Sequence, residues 1–152
     1  MAHIYDVARY ILQRSGGSMS AMKLQKLCYY SQAWSLVFDG EKLFDDSIQA
    51  WANGPVVRSL YAQHRGQFTV DSTSFPAKSR LTDGETATID AVLNSYGGLT
   101  ATQLSNLTHN EEPWLEARRG VPAGARSEAE ISPATMLEFY QRQHDAAVDA
   151  QR

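Results

Sequence analysis

The sequence predicts a mainly α fold: a compact bundle of about six or seven helices forming one domain over residues 1–152, with at most a small β-hairpin. Three observations predict it. Apolar residues recur at helical spacing over residues 3–14 and 21–39. Two Thr-x-x-Glu/Gln boxes, Thr82–Glu85 and Thr100–Gln103, mark helix starts, because each side chain can bond the other's backbone N–H. Ser132-Pro133 pairs an N-cap with a proline at the first helical position.

The first helix is expected over His3–Arg14, with Ile4, Val7, Ala8, Ile11 and Leu12 on one face. Asp6 in its first turn suits the helix dipole, and Gly16-Gly17 stops it. The second is expected over Ala21–Asp39, capped by Ser18 or Ser20. It carries two apolar stripes, which is the pattern of a central helix. Ile48, Ala50 and Trp51 suggest a short extended piece, and Asn53-Gly54-Pro55 a turn. Pro55 then reads as the first residue of a helix over Pro55–His64. Gln67–Val70 is a candidate strand in a loop running to Arg80. Helices follow with Ile89, Val92, Leu93 and Tyr96, then with Leu104 and Leu107, then from Pro113 to Gly120. The last helix holds Met136, Leu137, Phe139 and Tyr140, and residues 145–152 are expected to fray.

Composition narrows the function. A chain of 152 residues, 43% hydrophobic and 20% charged, is ordinary globular material that holds a core without a metal or disulfide. Its single cysteine, Cys28, excludes an internal disulfide and any zinc site built on several thiols, and suits a reducing cytoplasm. Met1–Tyr10 has neither the apolar run of a signal peptide nor that of a membrane span. The net charge of −3 argues against a nucleic-acid binder. Only Arg118-Arg119 and the Lys23/Lys26 pair cluster bases, a weak phosphate footprint.

Catalytic patterns are missing. His3, His64, His109 and His144 include no i, i+4 pair, and no HExxH, GxSxG, Walker A or GxGxxG occurs. Asp45-Asp46 and Glu111-Glu112 are neighbours whose side chains point apart, as on solvated faces. Cys28 falls on an apolar stripe and reads as a structural thiol. His109 reads as a donor to the carbonyls of its helix end, with general acid/base work alongside Glu111 or Glu112 as the enzymatic alternative. The aromatics say more. Tyr29 and Tyr30 point about 100° apart on a helix, so both cannot face one core centre. Tyr and Trp are also frequent interface anchors.

Met22–Trp34, reading MKLQKLCYYSQAW, resembles the KLQKLLYYAQGW signature of the Panacea domain, the SocA-like antitoxin family once called phage-associated protein. Within it stand Leu24, Gln25, Lys26, Leu27 and Trp34. Gly40, Leu43-Phe44, Ile48–Val57 (with Gly54, Pro55 and Val56) and Leu60-Tyr61 match the stretch that follows. Leu104–His109 with Glu111, Glu112, Pro113 and Trp114 resembles the family's C-terminal LS.lTH.e.PW element. The likeness spans about residues 5–118, with Cys28 where Leu is usual and Asn53 where an aromatic is common.

The resemblance implies an antitoxin that neutralises a cognate toxin by direct binding, with no enzymatic activity and no cofactor or metal. The alternative it implies is an adaptor delivering the toxin to an ATP-dependent protease. The motif residues Leu24, Gln25, Lys26, Leu27, Trp34, Gly54, Pro55, Val56, His109, Pro113 and Trp114 are expected to build the fold. Tyr29, Tyr30, Trp51 and Tyr61 are the expected contact residues, with Arg58 on the rim. The acidic balance would favour a basic toxin. The oligomeric state is left open.

Overall fold

A computed structural model describes all 152 residues. Seven α-helices surround a core to which α2 contributes most: α1 (Ile4–Arg14), α2 (Ala21–Phe38), α3 (Arg58–His64), α4 (Asp83–Tyr96), α5 (Ala101–His109), α6 (Glu112–Ala117) and α7 (Pro133–Ala150). Two small antiparallel sheets complete it. Strand β1 (Ser18–Ser20) pairs with β4 (Thr69–Asp71), and β2 (Ile48–Trp51) pairs with β3 (Gly54–Val57). The predicted fold class is the one observed.

Helix α2 is buried almost all round, from Leu24 to Leu36, and packs against α1, α4, α5, α7 and β3. Its two apolar stripes therefore both find cover, as a central helix requires. Ser20 caps it, accepting the Lys23 N–H at 3.2 Å. The boxes at Thr82 and Thr100 form reciprocally, and Ser132 accepts the Thr135 N–H. Two buried polar residues tie loops to the helices. Gln32 accepts the N–H groups of Leu43 and Phe44 and donates to the Phe44 carbonyl, fixing the chain after α2. Asp6 accepts the N–H groups of Lys78 and Ser79, tying the loop before α4 to α1.

Several expected boundaries move. His3 lies outside α1 as its N-cap, its Nδ1 accepting from Tyr5 N–H at 3.1 Å. Ser18–Ser20 forms a strand as well as a cap, because it pairs with a segment some 50 residues on that no local pattern reveals. The strand expected at Gln67–Val70 lies at Thr69–Asp71. The tail is helical to Ala150, with Asp145–Ala150 exposed.

Pro55 does not open a helix. It sits in β3 opposite Ala50, and α3 starts at Arg58. The position tolerates proline because Ala50 turns its own groups elsewhere. Its N–H donates to the Ala129 carbonyl, and its carbonyl accepts from Arg118. A missing N–H at Pro55 thus leaves nothing unpaired. Residues 129–131 run beside β2 as a third edge, through Ala50 N–H to Ala129 O and Ile131 N–H to Ile48 O, both 2.8 Å.

Candidate functional site

The three sequence motifs, far apart in the chain, converge on the β2–β3 hairpin. From α2, Gln25 accepts the Val57 N–H at 2.8 Å and donates to the Val57 carbonyl, while Lys26 Nζ donates to the Pro55 carbonyl at 3.2 Å. From α5, Ser105 donates to the Asn53 carbonyl. From α6, Trp114 Nε1 donates to the Trp51 carbonyl at 2.9 Å. Just beyond α6, Arg118 donates to the Ala50 carbonyl at 2.9 Å, and to those of Pro122 and Ala125. Five side chains thereby hold main-chain groups of one hairpin that its own short ladder leaves unpaired. Buried backbone carbonyls need such partners.

Gly54 is the pivot of the turn. Its φ is +118°, a region that favours glycine. A Cβ there would meet Lys26 Cε at 2.5 Å and Thr108 Oγ1 at 3.1 Å. The glycine therefore lets the hairpin close over the lysine stem. His109 stacks on Trp114 with ring centroids 4.1 Å apart, and the Arg118 guanidinium lies over the Trp114 ring. His109 does not bond its helix end. Asn110 and Glu111 N–H groups take those carbonyls instead, and His109 Nε2 is buried without a partner. Its imidazole is pushed below the ordinary histidine value, chiefly by burial and then by the positive charges of Lys26 and Arg118.

Beside the hairpin opens a cleft of about 700 Å³. Its walls come from the start of α2, the hairpin, α3 with the turn after it, and residues 124–128. Trp51 and Tyr61 meet edge to face in it, with centroids 4.9 Å apart. Met22 and Phe68 stand on it as exposed apolar side chains, Phe68 at 85%. At the floor, His64 Nε2 accepts from Gln25 Nε2 at 2.9 Å, since the Gln25 oxygen is committed to Val57 N–H. That pairing keeps the ring neutral, in line with burial lowering its pKa. Lys26, 1% exposed, lines the same floor, and burial draws its ammonium down to about 8.

The expected contact residues divide. Trp51, Tyr61 and Arg58 line the cleft. Tyr29 and Tyr30 do not reach a surface, at 1% and 0% exposed. Contrary to the expectation that they cannot share a core centre, their rings meet edge to face at 5.2 Å and both reach Tyr140 of α7, Tyr29 through its hydroxyl and Tyr30 edge to face, while Tyr30 also stacks on Tyr96 of α4 at 4.0 Å. Glu111 is likewise no solvated acid. It is 6% exposed and accepts hydrogen bonds from Tyr30 at 2.6 Å and Tyr140 at 2.9 Å, while Glu112 pairs with Arg142 at the surface. Burial raises the Glu111 carboxyl pKa against the lowering effect of those two hydroxyls. Leu24 and Leu27 are core, and Trp34 donates to the Tyr96 hydroxyl at 2.9 Å. Cys28 is fully buried, and burial pushes its thiol well above the ordinary range. The basic pairs dissolve: Lys26 and Arg118 are buried, and Lys23 donates to the Gly97 carbonyl.

Reasoning from sequence missed Arg118, Glu111 and His64 as buried partners, and Arg65, Phe68 and Arg126 as cleft residues. Phe68 left one signal, a large apolar residue in a stretch without helical period. The others left none, because only the tertiary fold decides which side of a loop faces the cleft. No three His, Cys, Asp or Glu side chains converge in a way that could hold a metal ion, and no helix is long and apolar enough to cross a membrane.

A mainly α scaffold that clamps a hairpin beside an aromatic cleft is the arrangement these motifs build. The family described as antitoxin SocA-like, Panacea domain matches residues 24–115, and the chain belongs to that family. No curated protein and no solved structure matches it.

Proposed function

We propose that this chain is the antitoxin of a bacterial toxin–antitoxin pair and neutralises its toxin by covering part of the toxin's surface with the cleft beside the hairpin. Family membership supports the antitoxin role. The observation that favours this cleft is Phe68, a phenylalanine 85% exposed on the rim of a recess that also holds Trp51, Tyr61 and Met22. Exposed apolar side chains grouped this way mark interaction sites. Aromatic anchors in desolvated recesses supply most of the affinity of an interface. The clamped hairpin holds Trp51 in place before binding, which lowers the ordering cost of association.

The action is stoichiometric, without turnover, and takes place in the cytoplasm. Family membership supports this, as does the placement of the acid/base candidates. His109 is stacked on Trp114, Glu111 is sealed between two tyrosines, and neither lines the cleft.

The test is co-expression with the product of the neighbouring gene. Growth is expected to be restored by the wild-type chain and lost with Phe68→Ser or Tyr61→Ala, both variants retaining the wild-type melting temperature within a few degrees. A neighbour that is harmless alone, or that stays toxic beside the wild-type chain, ends the proposal.

A second reading, delivery of the toxin to an ATP-dependent protease, needs a second docking face. A groove of about 400 Å³ between α2, α4 and α7, flanked by Phe38 at 47% exposed, favours it. If the toxin's half-life is the same with and without this chain, delivery is excluded and sequestration stands.

A further inference from the structure

The chain as a whole is acidic, at −3, yet the cleft is basic. Its lining carries Lys26, Arg58, Arg65 and Arg126 against a single acid, Glu128. Arg58 pairs with Glu128 at 3.1 Å and Arg126 approaches the same carboxylate at 3.8 Å, so one acid serves two guanidinium groups. Arg65 is exposed and has no ion pair.

Beneath them lies a fourth cation, Lys26. An ammonium carries three donors, and this one makes a single hydrogen bond, to the Pro55 carbonyl. No carboxylate lies within ion-pairing distance of it, although it is 1% exposed. Burying a charge without a counter-charge costs several kcal/mol. The local structure nevertheless makes room for it, since glycine at position 54 is what the lysine stem requires. Sealed under the hairpin, the ammonium adds positive potential to the recess, while the exposed arginines are the groups an anion can touch.

The geometry points to the cleft as a receptor for an acidic–apolar segment of the partner protein, its Asp or Glu carboxylates meeting the exposed guanidinium groups of Arg65 and Arg126. This rests on the proposed role of the cleft and specifies what it binds. It reverses the expectation of a basic partner drawn from net charge, because the contact surface and the whole chain differ in sign. A peptide fits better than a nucleic acid. The basic residues of the recess are interleaved with Trp51, Tyr61 and Phe68, whereas a polyanion needs an extended basic track, and the chain as a whole is acidic.

The experiment is fluorescence anisotropy on the intact chain. The probes are a fluorescein-labelled peptide alternating Glu or Asp with Leu or Phe, the same peptide with Gln and Asn in place of the acids, and a single-stranded oligonucleotide of equal length. At low salt the acidic peptide is expected to bind at least about tenfold more tightly than the amide peptide, the gap closing as salt screens the contacts. Arg65→Glu and Arg126→Glu, both at exposed positions, are each expected to weaken it by about tenfold. Lys26→Met, which keeps the stem and removes a buried charge, is expected to reduce the preference for acid over amide by less than Arg65→Glu does. Equal binding of the two peptides, indifference to Arg65→Glu, or tighter binding of the oligonucleotide overturns the inference. The two levels separate. If Phe68→Ser abolishes neutralisation while Arg65→Glu leaves both neutralisation and peptide binding intact, the acidic segment is wrong and the antitoxin reading survives. If the peptide binds as expected but co-expression rescues nothing, the cleft chemistry stands and the antitoxin reading falls.

Discussion

Replacing Gly54 by alanine tests how the hairpin and the buried lysine fit together. Two costs add. A φ of +118° is a backbone conformation that L side chains rarely adopt, and holding a non-glycine residue in such a region costs about 1–3 kcal/mol. The new methyl would also stand 2.5 Å from Lys26 Cε and 3.1 Å from Thr108 Oγ1. Relieving that overlap in a packed wall costs about 1–3 kcal/mol more. A total near 4 kcal/mol corresponds, for a chain of this length, to a fall in melting temperature of about 8–16 °C. Gly40→Ala is the control. Gly40 has φ +69°, and a methyl group added there would find nothing within 4 Å, so it bears backbone strain alone, about 1–2 kcal/mol. Urea unfolding followed by circular dichroism reads both. The overlap is isolated by repeating Gly54→Ala in a Lys26→Ala background, where the cost should drop by about 1–3 kcal/mol because the colliding carbon is gone. If Gly54→Ala costs no more than Gly40→Ala, or the same in both backgrounds, the account of the hairpin closing on Lys26 is wrong.

Three further outcomes are expected. Lys26 has its pKa lowered to about 8 from 10.5 by burial, so the folded chain holds its proton less tightly than the unfolded one. The resulting penalty is complete below pH 8 and fades as pH rises toward 10.5; wild-type stability, measured as the difference from Lys26→Met by urea titration, should therefore rise between pH 7 and 9.5, and a flat difference refutes it. Glu111 has its pKa raised by burial, so the folded chain holds that proton more tightly, and stability attributable to it should fall as pH rises from 4.5 through the raised value; in calorimetry the wild-type melting temperature should gain on Glu111→Gln as pH is lowered from 7 toward 4.5, and the opposite slope would exclude the assigned environment. Cys28, fully buried with a raised pKa, should react with a thiol reagent only as fast as the chain unfolds, so labelling that runs ahead of unfolding would mean the core opens locally around α2.

Local signals carried far in this chain where the relevant physics is local. The caps at Ser20, Thr82, Thr100 and Ser132 each depend on a side chain and an N–H within three residues, and all were readable, Ser20 as one of two candidates beside Ser18. The double stripe of α2 announced its central place. Pro55 failed because a residue that suits a helix start equally suits a strand position whose N–H has no acceptor waiting. Tyr29 and Tyr30 failed because the 100° between adjacent Cα–Cβ directions does not stop two long rings from meeting, and the arrival of α4 and α7 closes one aromatic cluster over both. Net charge is silent on any one surface for a related reason. It sums every surface, while binding depends on one, and the arginines of that surface come from positions 58, 65 and 126.

The aromatic core around Glu111 bears on what portion of this chain is self-sufficient. The stretch that defines the family ends at residue 115, yet the Glu111 carboxylate that accepts from Tyr30 also accepts from Tyr140, and Tyr29 bonds the same Tyr140 hydroxyl. Arg118, which grips Ala50, also lies past that limit, and α1 covers α2 from before residue 24. A fragment cut to the shared motif would open an ionisable group and two phenols to water and lose a wall of its interior. The recognisable module and the smallest autonomous folding unit therefore differ in extent, and trimming to the first should yield a chain that aggregates or is degraded.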